Sequence, residues 1–272
     1  MSPSLATVRV GAASASNTLL MLHGIYGRGR NWAAIAKGVV AARPEYACVL
    51  IDLPHHGDSA PGAHGDTVRG IAADVAARAD AGDLHVDAVL GHSFGGKIAL
   101  ALADRWRDRA LDVWVIDSTP DAREPSGSAW DLLEVVRGMP ATFASRDAFA
   151  TALTDRGWAA GVARWMATNL ERRGDAFAWR LDFDAMERLL RDFFATDLWA
   201  IVEAPPPEHT FHFIKATGSR VISDEAARRA EAVASGRVHV HRLEGGHWIH
   251  AEKPADVVAL LAEKLSGSHR TP

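Results

Sequence analysis

One cysteine, Cys48, is all the chain has, so no disulfide can form within it. Cys48 lies in "YACVLID", which reads as a buried strand, and the expectation is a small core hydrophobe rather than a nucleophile. Long apolar runs are missing as well: none reaches the ~18 residues of a membrane span. The opening "MSPSLATVRVGAASAS" lacks a basic stretch followed by a long apolar one, which argues against a secretory signal. Strong charge of either sign is lacking too. The formal net charge is −4, and nothing suggests the clustered basic surface that nucleic acid requires. The metal signatures H-E-x-x-H and H-x-H-x-D-H are absent, so His23 with His55 and His56 is only a weak metal reading. Neither repeats nor low-complexity tracts stand out. These absences make a cytoplasmic, enzyme-sized globule with no nucleic-acid partner the default expectation. Its oligomeric state is open.

What is present is apolar: 48% of the 272 residues are hydrophobic, enough for a sizeable core. Short apolar runs alternate with helical patterns. The runs "TLLMLHG" (18–24), "ACVLIDL" (47–53), "VDAVLGH" (86–92), "LDVWVID" (111–117), "TFHFIKA" (210–216) and "RVHVHRL" (237–243) are too short for helices and predict strands. "VRV" at 8–10 reads as an antiparallel edge strand. Helix-like stretches lie at about 31–42, 67–79, 95–107, 223–234 and 254–265. The alternation predicts an α/β fold with a mostly parallel central sheet and helices on both faces.

The rhythm breaks between 119 and 207. No convincing core strand is found there, and the pattern is helical, with starts at Ser128, Ser145 and Asp182 and stops near Gly138, Gly157 and Gly174. The expected organisation is a core of residues 1–118 and 208–272 with a helical cap, or lid, inserted at 119–207. The insertion holds Trp130, Trp158, Trp165, Trp179 and Trp199, most of them expected to pack the lid itself.

Gly91-His92-Ser93-Phe94-Gly95 fits G-x-S-x-G, with a strand before it and a small-residue helix after it. The pattern alone is weak, and its setting strengthens it. A serine on such a tight turn has its hydroxyl exposed above the sheet, with a helix N-terminus beneath it. His247, on the glycine-rich loop "LEGGHWIHAEKP", is the candidate base. His250 is expected to pack or cap. Asp117, ending "LDVWVID", is favoured over Asp224 as the orienting acid, although the acid often follows the penultimate strand. Ser219 stands in that loop, either as a support for Asp117 or His247 or as an ordinary turn residue. Ser118 and Thr119 either steady the Asp117 carboxylate with their hydroxyls or form a plain turn, the second role being favoured. The backbone N–H groups of Ile25 and Phe94 are the expected oxyanion donors. Lys97, one helical turn past Ser93, either contacts an anionic substrate or a neighbouring loop or is solvated or structurally paired, the latter being favoured.

"LHGIYG", "DLPHHGDS", "GHSFGGK" and "GGHWIHAEKP" come in an order and spacing that resemble the α/β-hydrolase superfamily, and "GHSFGGKIAL", "VIDSTP" and "GHWIHAEKP" look most like its YbfF-type esterases. The lid matches more loosely. The resemblance implies hydrolysis of carboxylic esters, or of acyl thioesters, without metal or organic cofactor. It also implies an acid at Asp117 and a serine at Ser219. C–C bond hydrolases, lyases, cofactor-free haloperoxidases and non-catalytic ligand receptors share this frame and are the alternatives.

Overall fold

In the computed structural model, which describes residues 5–82 and 84–267, the expected apolar runs become strands. The strands are β1 (Thr7–Val10), β2 (Asn17–Leu22), β3 (Tyr46–Ile51), β4 (Ala88–His92), β5 (Leu111–Ile116), β6 (Thr142–Phe143), β7 (Leu170–Arg173), β8 (Ala176–Trp179), β9 (His209–Ala216) and β10 (Val238–Leu243). Seven of them form the main sheet in the order β1-β3-β2-β4-β5-β9-β10. The edge strand β1 runs antiparallel to β3, and every other pairing in the sheet is parallel.

A parallel sheet covered on both faces needs apolar side chains on both, and every residue of β2, β3 and β5 is buried. Alternation along the strands sorts them into two layers. Leu20, Leu22, Val49, Val113 and Val115 pack with the helices Val68–Ala81 and Phe94–Arg105. Leu19, Met21, Cys48, Leu50 and Trp114 pack with the helices Ala33–Ala42 and Pro254–Lys264. Cys48 is therefore a core residue, and burial pushes its thiol up to about 12. The chain moves outward from β2 to β3 on one side and from β4 to β5 on the other. The crevice at that reversal, above the carboxyl ends of β2 and β4, is where open α/β sheets place their ligands.

Between β5 and β9 lie the helices Ser128–Arg137, Arg146–Thr154, Ala160–Ala167, Phe183–Ala195 and Trp199–Glu203. Ser145 and Asp182 cap two of them, each side chain accepting from backbone N–H groups of the first turn. The insertion expected to be helical also carries a small antiparallel sheet, β6-β8-β7. The stop read at Gly174 is a hairpin turn: Arg173 pairs with Ala176, and Gly174 adopts φ 62, a left-handed conformation that costs glycine little. Strands of two to four residues are too short to impose a readable period.

Candidate active site

Ser93 follows β4 directly and has φ 52 and ψ −117, a region that side-chain-bearing residues rarely adopt. Such strain costs on the order of 1–3 kcal/mol and persists only when its surroundings hold it. Here the Ser93 N–H donates to Ile116 O (2.9 Å), and Ser93 O accepts from the Gly96 N–H (2.9 Å). The flanking glycines are required by close approach. A Cβ on Gly91 would lie 2.0 Å from Gly95 O, and one on Gly95 would lie 2.5 Å from Leu22 O. The bare frame lets the turn close and lets the helix Phe94–Arg105 pack directly against the end of β2.

Asp117, just past β5, is fully buried. Its Oδ2 accepts from His247 Nδ1 (2.7 Å) and from the Ser219 hydroxyl (2.5 Å). The carboxylate thus holds the proton on Nδ1 of His247 and leaves Nε2 free to accept one. Ser219 in turn accepts from the Val221 N–H, which orients its hydroxyl. Asp224 is elsewhere: 84% of its side chain is exposed, and it lies 3.3 Å from Lys215 Nζ. Asp224 opens the helix Asp224–Glu231, whose cap is Ser223, its hydroxyl accepting from the Ala226 N–H. Ser118 and Thr119 do not bond to Asp117; the Thr119 hydroxyl donates to Asp121 (2.6 Å).

The loop after β2 is held by two neutral histidines. His23 donates from Nδ1 to Gly24 O (2.8 Å) and accepts at Nε2 from the Leu53 N–H (3.0 Å). His56 donates from Nδ1 to Pro54 O (2.8 Å) and accepts at Nε2 from the Tyr26 N–H (3.2 Å). Burial lowers His23 to about 4 and His56 to about 3, so both stay uncharged at neutral pH. Both nitrogens of both rings are engaged, and His55 pairs with Asp66 (2.6 Å), so the three histidines serve structure rather than a metal. The loop they hold presents Ile25. Among the described residues, no hydrogen bond engages the N–H of Ile25 or of Phe94.

Ser93, His247 and Ile25 line one small pocket of about 60 Å³, closed by Leu132, Trp158 and Trp165 from the insertion. Beside it is an apolar chamber of about 410 Å³. Trp165 and Trp248, their ring centroids 4.6 Å apart, border both spaces. Of the five insertion tryptophans, Trp158 and Trp165 face the site. Trp179 packs on Phe149 and Phe183, Trp199 donates to Asp121, and Trp130 donates to Glu134. Lys97 is fully buried and structurally paired. Its Nζ donates to the carbonyls of Asp121 (2.8 Å) and Phe193, tying both crossings of the insertion to the helix after Ser93. His250 packs between the rings of Trp32 (4.9 Å) and His92 (4.2 Å). His92 was not singled out from the sequence, although its place inside the serine motif was a signal.

A parallel sheet with a strained serine above its central strand, and an Asp-bound histidine on the last loop, defines an α/β hydrolase. The chain belongs to the alpha/beta hydrolase family, whose model matches residues 19–260. It is 25% identical to an sn-1-specific diacylglycerol lipase, ABHD11, of Danio rerio, over 90% of this chain and 77% of that one. A Xenopus laevis protein of the same description is 26% identical, over 88% and 76%. Among solved structures, an esterase of a marine microorganism superposes with a TM-score of 0.81 at 23% identity, covering 96% of this chain and 99% of its own. No helix among the described residues is long and apolar enough to cross a membrane.

Proposed function

We propose that the chain is a serine hydrolase of carboxylic esters, working through an acyl-enzyme on small or medium acyl groups, with thioesters as further substrates. The observation that carries this reading is the 2.7 Å bond from His247 Nδ1 to Asp117, which frees Nε2 on a ring that shares its pocket with Ser93. Ser93 Oγ attacks the carbonyl carbon as His247 Nε2 takes its proton. The N–H groups of Ile25 and Phe94 hold the oxyanion, and the N-terminus of the helix Phe94–Arg105 adds its positive end. His247 then protonates the leaving oxygen or sulfur. A water molecule, deprotonated by His247, attacks the acyl-enzyme and releases the acid. Asp117 orients His247 and Ser219 supports Asp117. Residues 119–207 act as a cap whose Trp158 and Trp165 meet the substrate. The lipase relatives and the YbfF-type likeness support an ester substrate, and the apolar chamber suits an acyl chain.

The test is labelling by a fluorophosphonate, with turnover of p-nitrophenyl esters measured beside that of diketones. Wild type should label and hydrolyse the esters, and Ser93→Ala should do neither, losing about 10³-fold or more in kcat. Labelling that persists in Ser93→Ala, or diketone cleavage without esterase activity, refutes the reading.

A further inference from the structure

His92 sits between the two loops that bracket Ser93. On one side its Nε2 lies 2.8 Å from the backbone carbonyl of His247. A carbonyl can only accept, so Nε2 carries the proton. On the other side a Cβ added to Gly24 would lie 3.0 Å from Nδ1, so the ring packs against the backbone just before Ile25. Its ring also packs at a tilt against those of His247 (4.7 Å between centroids, 42° between planes) and His250 (4.2 Å, 48°). Ser93, the next residue along the chain, fixes the main chain from which this spacer projects.

We propose that His92 is a positioning residue: its Nε2–H holds the main chain of His247, and its ring sets the distance between the loop that carries the base and the loop that carries Ile25. The assignment rests on the reading of Ser93, His247 and Asp117 given above. Burial, with His250 and His247 alongside, keeps His92 neutral far below the usual imidazole range. Of the three neighbouring rings, His247 is the one bonded to a carboxylate, which makes it the one placed to receive the proton of Ser93. His92 thus supplies a donor and a flat neutral surface without competing for that proton. The serine motif would then specify the base loop as well as the nucleophile, through the side chain immediately before the serine.

Glutamine in place of His92 can set an amide N–H near the position of Nε2. Asparagine is too short to reach, and phenylalanine keeps the ring without a donor. His92→Asn should lower kcat for a p-nitrophenyl ester about ten- to a hundredfold, the scale of a small misplacement of reacting groups, with KM within about twofold of wild type. The low-field proton resonance of His247 Nδ1–H should weaken in the same variant. His92→Gln should recover most of both. Kinetics are compared at a temperature where every variant is folded; should the Asn variant not fold, His92→Phe carries the same comparison. The inference is overturned if kcat in the donor-less variants stays within about threefold of wild type, if Gln is no better than Asn, or if KM rises as far as kcat falls. A Ser93→Ala protein that remains active overturns the triad reading instead. An inactive Ser93→Ala beside unimpaired His92 variants overturns this inference alone.

Discussion

Adding one methyl group at Gly95 tests whether the oxyanion donors lie where the backbone puts them. A Cβ there would stand 2.5 Å from Leu22 O and 2.6 Å from His23 O, where real Cβ atoms essentially never come under 3.0 Å. Both atoms are backbone, and β2 is held by hydrogen bonds to β3 on one side and β4 on the other. The end of β2 cannot give, so the helix Phe94–Arg105 must retreat by about half an ångström, as overpacked elements do. Phe94 N–H travels with that helix, while Ile25 N–H stays with the loop after β2. The two donors therefore separate. A misplacement of 1 Å costs about a hundredfold in rate, so half of that should cost about tenfold, near 1.4 kcal/mol in the barrier. Overpacking should also destabilise the fold by about 1–3 kcal/mol, a fall of several degrees in the thermal midpoint for a chain of this size.

The assay pairs kcat on a p-nitrophenyl ester with a thermal melt for Gly95→Ala and for Gly138→Ala. The latter is a control, because its Cβ would approach nothing closer than 3.5 Å. Gly95→Ala with wild-type kcat and a lowered midpoint would show that the packing argument holds and that Phe94 N–H does not serve the oxyanion. Unchanged values for both would refute the packing argument too.

Asp117→Asn should lower kcat by about 10³–10⁴-fold through loss of the correct His247 tautomer, while Asp224→Asn stays near wild type; the reverse order would move the acid to Asp224. Ser219→Ala removes one hydrogen bond to a charged group and should cost about tenfold in kcat, and a loss as large as that of Asp117→Asn would contradict a supporting role. Trp165→Ala should open the 60 Å³ pocket onto the 410 Å³ chamber and shift kcat/KM toward longer acyl chains; an unaltered chain-length profile counts against the chamber as the acyl site. Stability should fall as pH drops from about 6.5 to about 4. His23, His56 and His250, held by burial at about 4, 3 and 4, stay neutral in the folded chain while the unfolded chain takes up protons. Thermal midpoints equal at pH 7 and pH 5 would contradict this.

Much of this was legible in the chain itself. Each buried parallel strand is a near-continuous apolar run because both of its faces are covered, so β2, β3, β4 and β5 announce themselves, while the edge strand β10, with Val238 its one buried residue, shows instead as alternating valine and histidine. The tight turn at Ser93 was readable because its backbone demands small neighbours at short range. Gly91 and Gly95 are local consequences of a turn that a Cβ at either position would crowd. Ser219 could be weighed only as one of two roles, because whether its hydroxyl reaches Asp117, 102 positions away, depends on how β5 and β9 register. The insertion resisted for another reason. Its strands of two to four residues draw their order from contacts such as Trp179 on Phe149, which no periodicity reports.

The histidines were the least legible part, and they explain how the site is built. A histidine in sequence suggests titration or a metal, yet His23, His56, His92 and His250 are all buried and all held below the usual imidazole range, with burial the largest cause. A neutral imidazole offers one donor and one acceptor on a rigid ring, so it can join two backbone segments that no regular ladder connects. His23 joins Gly24 to Leu53, His56 joins Tyr26 to Pro54, and His92 reaches the carbonyl of His247. Each bond ties a loop at the carboxyl end of the sheet, where strand hydrogen bonding has stopped and position still matters to within fractions of an ångström. Replacing any of these rings with an aliphatic side chain would leave a buried N–H or carbonyl unpaired, at about 1–3 kcal/mol each. The crevice is thus framed by histidines whose use depends on their remaining uncharged, around the one histidine bonded to Asp117.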